Sequence, residues 1–62
     1  SADFLRQLQI KNYALKLYPD MVAGNRKVLS AFSKLSDHSE QKVSKLLAKN
    51  KDPVSFAEAA AF

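Results

Sequence analysis

Four short runs of helix punctuation divide this chain: Tyr18-Pro19, Gly24-Asn25, Asp37-His38-Ser39-Glu40 and Asp52-Pro53. The pieces between them read as short helices. Proline lacks an N–H and disfavours helical geometry in the residue before it. Glycine takes positive φ at little cost, and Asn or Asp side chains accept from the free amides of a first helical turn. Between these signals apolar residues recur at helical spacing, and no alternating run competes as a strand. The expected fold is therefore an all-α, orthogonally packed bundle of about four short helices, or five if Pro19–Ala23 forms a turn of its own.

Helix 1 is expected from about Ala2 to Leu17, with Ser1 or Asp3 capping or charging its first turn and Pro19 ending it. Phe4, Leu8, Ile10, Ala14, Leu15 and Leu17 spread over more than half its circumference, which makes it the candidate central element. Lys11 interrupts that arc and is expected to reach the rim. Helix 2, about Arg26 to Leu35 with Asn25 as its cap, places Val28, Leu29, Phe32 and Leu35 inward. Asp37 and Glu40 have the spacing of a capping box, so helix 3 is expected from about His38 to Lys49, with Val43, Leu46 and Leu47 inward. Asp52 caps helix 4 and Pro53 stands at its first position. Its small alanines would let it approach a neighbour closely.

With 62 residues the chain makes one domain, spanning 1–62, near the lower limit for folding without a staple. It begins without methionine and ends in a helical stretch, which reads as a domain cut from a longer protein. It has no cysteine and one histidine, so neither disulfides nor a thiolate metal site is available, and no cofactor or metal is expected. The absence of cysteine fits an intracellular setting, cytoplasmic or nuclear. No apolar run approaches the ~18 residues of a membrane span. His38 beside Asp37 and two serines does not make a catalytic triad, because capping already accounts for the Asp and the serines. No paired carboxylates or Gly-rich phosphate loop stand elsewhere, and catalysis is not expected.

The net charge of +4 favours an anionic partner, either nucleic acid or an acidic protein surface. Between Arg26 and Lys51 seven basic residues stand against two acidic ones. His38, Lys42, Lys45 and Lys49 fall within about 60° of one another on a helical wheel, turned away from Val43 and Leu47. With Lys27 and Lys34 they form the candidate anion-binding set, suited to backbone phosphates rather than base sequence. The competing explanation is a solvated face whose lysines favour the negative end of the helix dipole.

Helices 2 and 3 also invite comparison with a helix-turn-helix. Phe32, Ser33, Val43 and Leu46 suit its buried positions. Asp37 then stands where glycine is preferred, and Ser36 where an apolar residue is usual. Tyr13 and Tyr18 suit base stacking, but among Ile10, Ala14 and Leu17 they read first as core. The alternative function is a protein-interaction module, with an apolar groove beside helix 1 or the end of helix 4 receiving a partner. On helix 4, Phe56 and Phe62 are expected to pack under helix 1, one of them remaining exposed if it serves docking.

Overall fold

The computed structural model describes residues 2–62 as four helices in sequence: α1 Ala2–Val22, α2 Arg26–Ser36, α3 Glu40–Lys49 and α4 Pro53–Ala61. No strand occurs among the described residues, and the fold is a small all-α bundle. At 1.5 Å per residue α1 is about 32 Å long, which matches the 33 Å long axis of the molecule. Asp3 lies in its first turn, while Ser1, the other candidate for that role, lies outside the described residues.

Helix α1 does not stop at Pro19. It continues to Val22 with the proline inside it. A proline removes one backbone bond, here the one to the Leu15 carbonyl, and strains the turn before it. Pro19 is exposed, so water can satisfy that carbonyl. The added turn brings Met21 into the core at 5 % exposure, and this burial offsets the lost bond. Gly24, at φ +91°, then ends the helix. Its amide donates to the Met21 carbonyl at 3.1 Å, and the Asn25 amide donates to that of Asp20 at 3.0 Å. These two bonds form a Schellman closure.

A second closure of the same type corrects the expected start of α3. Asp37 does not cap that helix; it ends α2 in the left-handed conformation at φ 59°. Its amide reaches the Lys34 carbonyl at 3.4 Å, and the His38 amide reaches that of Ser33 at 3.1 Å. Those bonds consume the residues that a capping box at Asp37 would need. The cap therefore moves to Ser39, whose Oγ accepts from the Lys42 amide at 3.1 Å, and α3 begins at Glu40. The other two caps stand where the sequence puts them. Asn25 accepts from the Val28 amide, and Asp52 accepts from both the amide and the hydroxyl of Ser55.

Every helix contributes to the core. Ile10, Ala14 and Met21 come from α1, Phe32 from α2, Val43 from α3, and Phe56, Ala57 and Ala60 from α4. The Phe56 ring lies 5.7 Å from Tyr18 and 5.6 Å from Phe32, tilted against both. Small residues at Ala14, Ala57 and Ala60 let α1 and α4 make the most extensive contact in the molecule. The two helices run antiparallel, since Tyr18 meets Phe56 while Lys11 meets Glu58. Helix α1 is central on this side only: Phe4, Leu8, Tyr13 and Leu15, all in its broad apolar arc, are exposed.

Helix α2 turns Val28, Leu29 and Phe32 to the core as expected, but not Leu35. Leu35 is 45 % exposed, and Ser33 and Ser36 are buried instead. Each serine hydroxyl donates to the carbonyl four residues back, Leu29 and Phe32 respectively, at 2.8 Å. A satisfied hydroxyl on a small side chain can be buried at little cost.

The two left-handed positions make opposite predictions. Gly24→Ala places a Cβ in a conformation that disfavours it and should cost about 1–2 kcal/mol. Asp37→Gly removes that same penalty and should raise stability by up to about 1 kcal/mol. Urea unfolding followed by far-UV circular dichroism measures both; equal signs would contradict the assignment of the closures.

Candidate nucleic-acid interface

Helices α2 and α3 carry the basic residues singled out by the sequence. Lys27 and Lys34 on α2 are exposed, as are Lys42, Lys45 and Lys49 on α3. His38 is off the α3 helix, although it lines a depression with Lys34. It lies in the turn before α3, partly buried, with Nε2 2.9 Å from the Ala60 carbonyl oxygen. A ring nitrogen that donates to the last turn of α4 is occupied by structure. The reason is the displaced helix start, which takes His38 off the α3 wheel on which the lysine row is drawn.

The fold adds a residue that spacing did not single out. Arg26 lines one depression with Lys27, Ser30, Lys34 and Glu40, and a second with Gln41, Ser44 and Lys45. It thereby joins the α2 and α3 parts of the basic surface. Arg26 and Lys45 are nineteen positions apart, and nothing in their spacing places them beside one depression. One signal was present: two cations, Arg26 and Lys27, open a helix with no acidic residue in its first turn. Cations there face the positive end of the helix dipole and weaken the helix. Dipole stabilisation accounts for Lys34 and Lys49, which lie in last turns, but not for this pair.

The electrostatics of the surface are simple. Among the described residues one ion pair occurs, Lys11 Nζ to Glu58 Oε1 at 4.0 Å, and it joins α1 to α4. The seven basic residues from Arg26 to Lys51 are all exposed, and none is paired with a carboxylate of the described residues. Glu40 is the one carboxylate lining both depressions. Among the described residues no group of three potential metal ligands comes together. No helix among them is long and apolar enough to cross a membrane.

The aromatic candidates separate. Tyr18 packs on Phe56 and belongs to the core, while Tyr13 is 45 % exposed beside Gln9, Asn12 and Lys16. Phe56 is fully buried and Phe62 is 66 % exposed. No family model matches this chain, and neither the curated proteins nor the solved structures include a significant match.

His38→Ala should lower stability by about 1 kcal/mol, the usual net worth of one hydrogen bond. Its affinity for a polyanion such as heparin should match that of the parent chain at neutral pH. Thermal melts and heparin-column elution together test this; a shift in elution at unchanged melting temperature would return His38 to the anion surface.

Proposed function

We propose that this chain is a non-catalytic binding domain whose α2–α3 surface contacts nucleic acid through backbone phosphates. The observation that supports this most directly is the set of seven exposed, unpaired cations between Arg26 and Lys51. Two of them, Arg26 and Lys27, stand where they weaken their own helix. A role outside the fold accounts for that cost. Lysine ammonium groups on flexible stems suit point contacts with phosphates and release condensed counterions on binding.

Binding of a fluorescent duplex and a single strand should therefore weaken steeply with salt. Replacing Lys27, Lys34 and Lys45 together by Gln should reduce the slope of log K against log salt by about 2–3 units, at roughly 0.9 per duplex phosphate contact. Circular dichroism should remain that of the parent chain, since all three side chains are exposed. No binding to either nucleic acid at ~50 mM salt would sink the proposal.

A second reading, a protein-interaction module, is favoured by one feature of α1. Phe4, Leu8, Leu15 and Val22 are 36–59 % exposed. They recur at intervals of four and seven residues along α1, a stripe beside Lys11 and Tyr18, which face α4. An amphipathic helix from a partner protein fits such a seam. Capture of that partner should persist in high salt and fall sharply with Leu8→Lys and Leu15→Lys. The lysine-to-Gln triple variant should leave it unchanged.

A further inference from the structure

Two features that weaken the helix-turn-helix comparison in the sequence are accommodated by the fold. Asp37, standing where glycine is preferred, adopts the left-handed conformation that such a turn uses. Ser36, standing where an apolar residue is usual, is 5 % exposed with its hydroxyl bonded to the Phe32 carbonyl. Three residues, Asp37 to Ser39, separate the helices, which is the turn length of that motif. Phe32, Ser33 and Val43 are buried, so α2 and α3 each turn one face to the core. The turn is also anchored from outside by the His38 contact with Ala60.

On the outer face of α3, Gln41, Ser44, Lys45 and Ala48 are all exposed. The side chains of Gln41, Ser44 and Lys45 make no hydrogen bond or ion pair with the described residues. They stand within about 100° of one another on the helix. Arg26 lines the same depression as all three, and Lys27 and Lys34 flank the neighbouring one. A polar strip bordered by cations is thus presented by a ten-residue helix.

Resting on the phosphate-binding reading above, we propose that the nucleic acid is duplex DNA. In this proposal α3 enters the major groove while Arg26, Lys27 and Lys34 hold the flanking phosphates. A major groove about 12 Å wide admits an α-helix, and α3, about 15 Å long, spans about four to five base pairs. The Gln41 amide suits the N6 and N7 edge of adenine, and Lys45 suits O6 and N7 of guanine. Ser44 can donate or accept, and Glu40 can accept only from an exocyclic amine such as cytosine N4. Other nucleic acids fit this surface less well. The major groove of A-form RNA is too narrow for a helix. Single strands are held largely by stacking on aromatics. Of the six aromatic residues only Phe32 lies on α2 or α3, and it is fully buried.

The test is selection of the 62-residue chain against a pool of randomised DNA duplexes at ~100 mM salt. Direct titrations of the enriched duplex, a scrambled duplex, single-stranded DNA and double-stranded RNA of equal length follow. The expected result is preference for duplex DNA with an enriched core of about four to five base pairs. Gln41→Ala should reduce the ratio of enriched to scrambled affinity on the order of tenfold. It should leave scrambled-duplex binding and the salt slope in place, and alanine at this exposed helical site does not threaten folding. Lys34→Gln should weaken enriched and scrambled duplexes equally. Salt-dependent binding that is equal for single strands and RNA, lacks an enriched core, or keeps its selectivity in Gln41→Ala would overturn the groove-binding inference and leave the phosphate reading standing. No binding to any of the four at ~50 mM salt would remove both.

Discussion

The Phe56 ring is the point on which three helices depend. It belongs to α4, meets Tyr18 of α1 on one side and Phe32 of α2 on the other, and is fully buried. A chain of this length without cysteine has only apolar packing to oppose its conformational entropy. Concentrating three aromatic rings at one junction is an efficient use of a small interior, since each carries a large apolar area. Val43, also fully buried, ties α3 to the same core. Alanines do the complementary work along α1 and α4, where Ala14, Ala57 and Ala60 allow the backbones to approach closely enough for the rings to meet.

What could be read from the residues, and what could not, divides along one physical line. Signals that act within four residues were legible. Asn25 and Asp52 cap the helices they precede, and Pro53 opens α4. Signals that compete with another part of the chain were not. Pro19 favours a helix end locally, but burial of Met21 carries α1 past it. Asp37 suits a cap, but the amides of Asp37 and His38 are taken by closure of α2, and Ser39 becomes the cap. That shift of two residues removed His38 from the basic row. The same reasoning explains Leu35: its exposure depends on which face of α2 meets the core, and two satisfied serines occupy that face. For the candidate site the cations were visible in the sequence, while their grouping around Arg26 required the fold.

The charges are distributed so that the two halves of the molecule differ in kind. Among the described residues the ion pair joins α1 to α4, where Arg6, Lys11 and Lys16 stand against Asp3, Asp20 and Glu58, whereas from the start of α2 to just past α3 seven cations stand against two carboxylates. Exposed ion pairs contribute little to stability, so leaving these cations unpaired costs the fold little. Their mutual repulsion is reduced by exposure to water and salt. Helix stability does not account for all of them. Lys34 and Lys49 suit the helix ends they occupy, whereas Arg26 and Lys27 oppose theirs.

The turn between α2 and α3 connects this charge distribution to the core. An isolated helix of ten residues is marginal in water, so α3 depends on its surroundings for its shape and direction. Its start is fixed by Ser39, its inner face by Val43, and the preceding turn by the closure at Asp37. His38 adds a constraint from outside, because its ring holds the turn against the last turn of α4. The aim of α3 is therefore coupled to the packing of α4 on α1, and through Phe56 to α2 as well. A helix held at its cap, its turn and its buried face presents Gln41, Ser44 and Lys45 in one fixed direction. Fixed direction is what selective contact requires and what phosphate contact alone does not. The histidine that lies beside Lys34 on this surface thus also acts as a strut that positions the helix carrying Gln41 and Lys45.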